Sequence, residues 1–206
     1  MGILNVTPDS FSDGNTFFDP TAAVGRMLAL EASGADIIDV GGQSTRPNAE
    51  VIAAEEEASR VVPIIAAARK AGVTVPISID TFRASVARAA IEAGADMIND
   101  VSGGLLDPDM LTTAAQLEVP ICLMHYRGDP STMTSLANYP DDTVAAVATE
   151  LQQRCNAALR AGIARWNIIV DPGIGFAKTP LQSIECLRGT RRFTTLCSPL
   201  ARLHAL

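Results

Sequence analysis

Residues 34–40 read GADIIDV, and residues 94–101 read GADMINDV. Each stretch follows a segment of helical periodicity, places a glycine where that helix should stop, and runs on into apolar residues. A glycine accepts the left-handed conformation of a helix terminus at little cost. The apolar runs are continuous rather than alternating, the pattern of parallel strands buried on both faces. A helix, a glycine stop and a strand used twice predict a repeated βα architecture.

The same punctuation recurs outward from these two stretches. Strands are predicted at Gly2–Val6, Asp36–Val40, Val75–Asp80, Asp96–Asp100, Pro120–His125 and Trp166–Asp171. Gly72 and Gly162 supply two more helix stops. Asp19-Pro20, Asp107-Pro108 and Thr179-Pro180 each place an N-cap residue before a proline at the first helical position. Pro63 falls inside the second helical pattern and should kink it or mark its true start. Such a series leaves an eightfold barrel or an open doubly wound sheet. No GxGxxG follows the first strand, which weakens a dinucleotide-binding reading.

Composition narrows the partners. The chain has 206 residues, enough for one domain with a sizeable core, with 48% apolar and 19% charged residues. A net charge of −7 argues against nucleic acid, whose phosphates need a basic face. No apolar run approaches the roughly 18 residues of a membrane span, and no basic flank leads into an apolar stretch at the start. Cys122, Cys155, Cys186 and Cys197 show no CxxC pair and no ligand spacing to His125 or His204. They read as four reduced thiols in a cytoplasmic protein, or an organellar one if a targeting segment lies upstream.

The strand ends carry the chemistry. Asn5, Asp39, Asp80, Asn99 with Asp100, His125 and Asp171 fall at the C-terminal ends of six separate apolar runs. A single aspartate there is usually a helix cap, and Asp80-Thr81 fits that reading. Six polar ends in one chain are harder to dismiss, because gathering them costs desolvation. In a barrel these ends meet on the face where the βα loops build the active site. Carboxylates accept from amino and ring N–H groups, and a carboxamide both donates and accepts. Asp80, Asn99 and Asp171 would therefore suit a nitrogen heterocycle with an amino–amide edge. Two histidines are too few for a zinc or iron cluster, whereas Asn5 offers Mg²⁺ a hard oxygen beside substrate phosphate.

These residues resemble a known family. MGILNVTPDSFSDG at 1–14 resembles the first strand and first loop of dihydropteroate synthase. DVGGQSTRP at 39–47 is similar to its second strand and loop, with Gln43 where glutamate is usual. ISIDT at 77–81, IND at 98–100, CLMH at 122–125 and DPGIGFAK at 171–178 continue the series. The resemblance implies an α/β fold, a TIM-type (β/α)8 barrel of which about six βα units are present. It assigns 1–188 to the pterin-binding barrel and 189–206 to a divergent or truncated tail.

The resemblance also implies the reaction. Such a transferase of folate biosynthesis, a sulfonamide target, joins 7,8-dihydropterin-6-ylmethyl diphosphate to 4-aminobenzoate, giving dihydropteroate and pyrophosphate. Asp80, Asn99 and Asp171 would hold the pterin, Lys178 would be among the substrate-binding residues, and Asn5 would contact Mg²⁺ and the diphosphate. Phe11, Thr45, Arg46, Pro47 and Phe176 would form the aminobenzoate site, with Thr45 and Arg46 placed beside Asn5, Asp80 and Asp171 in the catalytic set. Pyrophosphate leaves, a resonance-stabilised pterin cation forms, and the arylamine attacks. The loop Thr7–Phe18 reads as a lid that keeps water from the cation. Homodimerisation through late helices is implied for the family but is in doubt for this chain.

After Arg188 the sequence turns basic, GTRRFTTLCSPLARLHAL, and lacks the Ser-Arg-Lys and Arg-x-His motifs of the family's last strands. Unpaired edges at the first and sixth strands and a poorly stable, nearly inactive chain are the expectation. Two alternatives follow: a non-catalytic fragment or pseudoenzyme that keeps pterin binding, and a pterin-dependent methyltransferase domain. SFSDG and STRP favour the synthase over the methyltransferase.

Overall fold

In the computed structural model of the chain, residues 1–6, 20–43, 51–128, 132–139 and 142–197 are described. Six strands alternate with helices: β1 (Gly2–Asn5), β2 (Ile38–Gly41), β3 (Ile77–Asp80), β4 (Met97–Asp100), β5 (Ile121–Met124) and β6 (Ile168–Asp171). They follow sequence order in a parallel six-stranded sheet, the strand order of TIM-type βα units. Every predicted strand is present, and only β2 reaches past its predicted end, by one residue to Gly41. The helices are α1 (Pro20–Ala32), α2 (Ala54–Lys70), α3 (Ala84–Glu92), α4 (Met110–Leu117), α5 (Thr143–Arg160), α6 (Pro180–Arg188) and the short α7 (Thr190–Phe193). Among the described residues no helix is long and apolar enough to cross a membrane.

The chain divides into two compact units, 1–45 with 49–99 and 46–48 with 100–206. In the first, Ile38, Val40, Ile77, Ile79 and Ile98 are fully buried, as their continuous apolar runs predict. Each such side chain stabilises by about 1.5–3 kcal/mol relative to exposure. The repeated Gly-Ala-Asp stop has a structural use here. Gly94 takes φ 113°, and Asp96 accepts from the Ile77 backbone N–H at 2.7 Å while pairing with Arg69. Arg69 in turn donates to the Gly94, Val73 and Val75 carbonyls at 2.9 Å each, so one side chain ties the end of α2 to two strand entries.

In the second unit, Tyr139, Val147, Ala148, Leu151, Cys186 and Phe193 form one buried cluster that joins α5, α6 and α7. Thr179 caps α6 in a reciprocal box with Gln182, with Pro180 at the first position, as predicted. Two expectations are corrected. The Asp107-Pro108 pair does not start α4; the Asp107 carboxylate accepts from the Asp109 N–H at 2.9 Å and holds a turn instead, so the helix begins at Met110. The cysteines are not all free, because Cys155 on α5 and Cys197 form a disulfide with their Cα atoms 6.0 Å apart. Cys122 and Cys186 remain thiols. Pro63 lies inside α2, which begins nine residues earlier at Ala54, so it does not mark the helix start.

Candidate active site

The first unit builds its polar row by strand register. Asn5 pairs with Gly41, Gly41 with Asp80, and Asp80 with Asn99, so the last residues of β1, β2 and β3 and the last but one of β4 stand at one level. Register partners in a parallel sheet present their side chains to the same face. Gly41 makes room within the row: a Cβ there would stand 3.2 Å from Asp80 Oδ2 and 3.6 Å from Asn5 Oδ1. Below the row, Asn99 Nδ2 donates to Asp39 Oδ2 at 3.2 Å. Asp39 is buried, and burial pushes its carboxyl above the usual range while the Asn99 amide opposes the rise. The Asp100 carboxylate takes no part in the row. It accepts from Ser102 N at 2.8 Å, Ser102 Oγ at 2.7 Å and Gly104 N at 2.7 Å, which makes it the brace of its own turn.

The described residues at the end of β2 are tied to those that lead into α2. Ile52 N donates to Gln43 Oε1 at 3.0 Å, and Arg60 Nη1 donates to the Gly42 carbonyl at 3.0 Å. Arg83 pairs with the fully buried Glu57 and also donates to the Ile52 carbonyl at 2.5 Å. Thr45, Arg46, Pro47 and Phe11, all expected at the site, lie outside the described residues.

The second unit organises its polar groups differently. Asp171 ends β6, its carbonyl accepts from His125 N at 2.8 Å, and its Oδ1 accepts from Gly173 N at 2.8 Å. Lys178 Nζ lies 3.0 Å from His125 Nδ1, and His125 Nε2 lies 3.0 Å from Glu150 Oε2. Arg127 grips the same carboxylate through Nε at 2.9 Å and through Nη2, and its guanidinium stacks 4.1 Å over the Tyr139 ring. Burial, reinforced by the Lys178 charge, pulls His125 down to about 4, so the imidazole is neutral. Burial also lowers Lys178 to about 8 and raises Tyr139 to about 12. For Glu150 burial pushes upward, but the Arg127 and His125 contacts outweigh it and leave the carboxyl below its ordinary value. Phe176 sits on the same loop, where its carbonyl accepts from Lys178 at 3.0 Å.

Sequence reading found the strand-end residues of both units and missed Arg127, Glu150 and Tyr139. Glu150 lies mid-helix, where a charged residue reads as a solvated face; only its partners give it meaning. Among the described residues no group of three or more His, Cys, Asp or Glu is placed to cage a metal. The Asn5 carboxamide is a hard oxygen donor, and one such donor fits Mg²⁺, which keeps water and substrate oxygens in most of its positions.

Comparison with known proteins agrees with this geometry. Residues 1–201 match the family described as "Pterin binding enzyme". The chain is 55% identical over 187 residues to the folic acid synthesis protein fol1 of Schizosaccharomyces pombe, covering 91% of this chain and 25% of that protein. It is 48% identical to the dihydropteroate synthase of Synechocystis, covering 97% of this chain and 68% of the relative. A solved structure of Xanthomonas albilineans dihydropteroate synthase with 4-aminobenzoic acid matches at a TM-score of 0.85 and 44% identity, covering 95% of this chain and 68% of that one. The chain thus spans about a quarter of the length of the Schizosaccharomyces pombe relative and about two thirds of the Synechocystis one. By its strand order, its strand-end residues and these matches, the chain belongs to the dihydropteroate synthase group of the pterin binding enzymes.

Proposed function

We propose that the chain carries the pterin-binding part of a dihydropteroate synthase. This transferase condenses 7,8-dihydropterin-6-ylmethyl diphosphate with 4-aminobenzoate, giving dihydropteroate and pyrophosphate. The observation that carries the reading is the row Asn5, Gly41, Asp80 and Asn99, set level by strand register in a chain of this family. Asp80 and Asp171 supply acceptors for the pterin's amino and ring N–H groups, and the Asn99 carboxamide can both donate and accept. Their negative charge favours the cation left when pyrophosphate departs. Phe176, with Phe11, Thr45, Arg46 and Pro47, belongs to the aminobenzoate side. Asn5 would hold Mg²⁺; when bound, that ion neutralises charge on the departing diphosphate. A cytoplasmic location is our reading, with an organelle as the alternative, as in the relatives named mitochondrial from Pisum sativum and Arabidopsis thaliana.

A second reading, pterin binding without turnover, has its own support. Ile169 on β6 is 44% exposed, and Leu181, Ile184 and Leu187 on α6 are also exposed, which leaves apolar side chains uncovered beside the strand that ends in Asp171. Pyrophosphate release from the diphosphate and 4-aminobenzoate separates the two. Release that depends on Asp80 supports the synthase. Saturable binding of a pterin analogue with no release supports the second reading, and neither binding nor release from a folded chain refutes both.

A further inference from the structure

One set of polar side chains in the second unit forms an unbroken chain. Arg127 Nε donates to Glu150 Oε2 at 2.9 Å, and His125 Nε2 lies 3.0 Å from the same oxygen. An ionised carboxylate only accepts, so the imidazole carries its proton on Nε2 and leaves Nδ1 as an acceptor. Lys178 Nζ, 3.0 Å away, donates to that Nδ1. Its other bonds run to the carbonyls of Gly173 at 3.1 Å and Phe176 at 3.0 Å. Gly173 N then donates to Asp171 Oδ1 at 2.8 Å, completing a path from Arg127 to the carboxylate at the end of β6.

An ammonium group has three protons, and Lys178, 9% exposed, has three partners for them within the protein. A substrate would have to displace one. Two of the three bonds fall on the loop itself, at Gly173 and Phe176. Gly173 at φ 67°, Gly175 at φ 84° and Ala177 at φ 47° all take left-handed conformations, and Ala177 does so without glycine's freedom. The Ala177 carbonyl accepts from the Tyr139 hydroxyl at 3.0 Å, so the loop is pinned at three successive points. Tyr139 is in turn covered by the Arg127 guanidinium that begins the chain.

We propose that Lys178 is a positioning residue: with His125, Glu150 and Arg127 it fixes the 171–178 loop and orients the Asp171 carboxylate, and it does not touch substrate. The proposal rests on the pterin site above only in treating Asp171 as a pterin contact. The chain itself is tested without any ligand.

Long-range ¹H–¹⁵N spectra of the labelled 206-residue protein read the imidazoles directly. The sequence holds two histidines, and His204→Ala assigns them. His125 should be a single Nε2–H tautomer at neutral pH. Lys178→Met, close in size and apolar, should keep that tautomer, because the Glu150 carboxylate still accepts from Nε2, whereas Glu150→Gln, whose carboxamide donates as well as accepts, should leave a mixture. The Gly173 amide, bonded to Asp171, should exchange about tenfold faster both in Lys178→Met and in Glu150→Gln, whose half-buried site on α5 tolerates the change. Binding of a pterin analogue should weaken about tenfold in each variant and no further in the double variant, because residues acting as one unit are not additive.

A mixed tautomer in the unsubstituted protein would overturn the chain. Multiplying losses in the double variant, with Gly173 exchange unchanged, would mean that Lys178 contacts the ligand. If the folded protein binds no pterin analogue, the proposed function fails, and the tautomer and exchange results still decide the positioning role.

Discussion

The two units bring polar side chains to their strand ends by different means. In the first, register alone does it: Asn5, Asp80 and Asn99 share a level because adjacent strands pair there, and Gly41 leaves the space between two of them. In the second, a relay of side chains does it, and its anchor, Glu150, sits on a helix 25 residues after His125 and 28 before Lys178. The first arrangement is as rigid as the sheet. The second depends on charge, burial and protonation, so it should respond to pH and to single substitutions away from the strands.

The largest effect should come from removing the support of the second unit. Phe193, 2% exposed, packs with Tyr139, Val147 and Leu151. Phe193→Ala should cost about 3 kcal/mol of unfolding free energy by the usual cost of truncating a buried aromatic. Urea unfolding measures it, and a loss under about 1 kcal/mol would show that α7 contributes little to the cluster.

Next is acidification. His125 has its pKa lowered from 6.5 to about 4 in the folded chain, so the unfolded chain takes up a proton first as pH falls. Stability contributed by the neutral imidazole is complete above pH 6.5 and is lost progressively between pH 6.5 and about 4. Asp39 and Asp100, raised by burial, act in the opposite sense, keeping their protons longer in the folded chain than in the unfolded one. The difference in urea midpoint between the unsubstituted protein and His125→Gln across this window isolates the histidine, at about 2 kcal/mol. Parallel curves for the two proteins would remove His125 from the account.

The smallest effect should fall on the register-built row. A Gly41→Ala methyl would press on Asp80 Oδ2 at 3.2 Å, and the neighbouring carboxylate must shift by a few tenths of an ångström. Binding of a pterin analogue should weaken about tenfold, with stability changed by no more than about 1 kcal/mol. Undiminished binding would mean that the spacing between Asn5 and Asp80 is not critical.

The same contrast explains what could be read from the sequence. Parallel strands leave continuous apolar runs, and polar residues at their ends stand out against them, so β1 to β6 and Asn5, Asp80, Asn99 and Asp171 were all visible, although β1 and β6 expose Ile3 and Ile169 where burial on both faces was expected. Arg127 and Glu150 were not, because a salt bridge between a loop and a helix face leaves no periodic mark. The start of α4 was misjudged because Asp107 is equally suited to cap a helix or to close a turn. The Cys155–Cys197 bridge spans 42 positions with no motif at either end, and only the placement of the last turn beside α5 reveals it.

The central claim is that the Asn5–Asp80–Asn99 row binds a pterin. Calorimetric titration of the folded chain with a dihydropterin analogue tests it most directly, on the unsubstituted protein and on Asp80→Ala. Losing a charged hydrogen-bond acceptor costs about 1.5–3 kcal/mol, so the account predicts saturable one-to-one binding that Asp80→Ala weakens between about tenfold and a hundredfold while the fold is kept. Equal affinity in the two proteins, or no binding by the unsubstituted chain in its folded state, would contradict it.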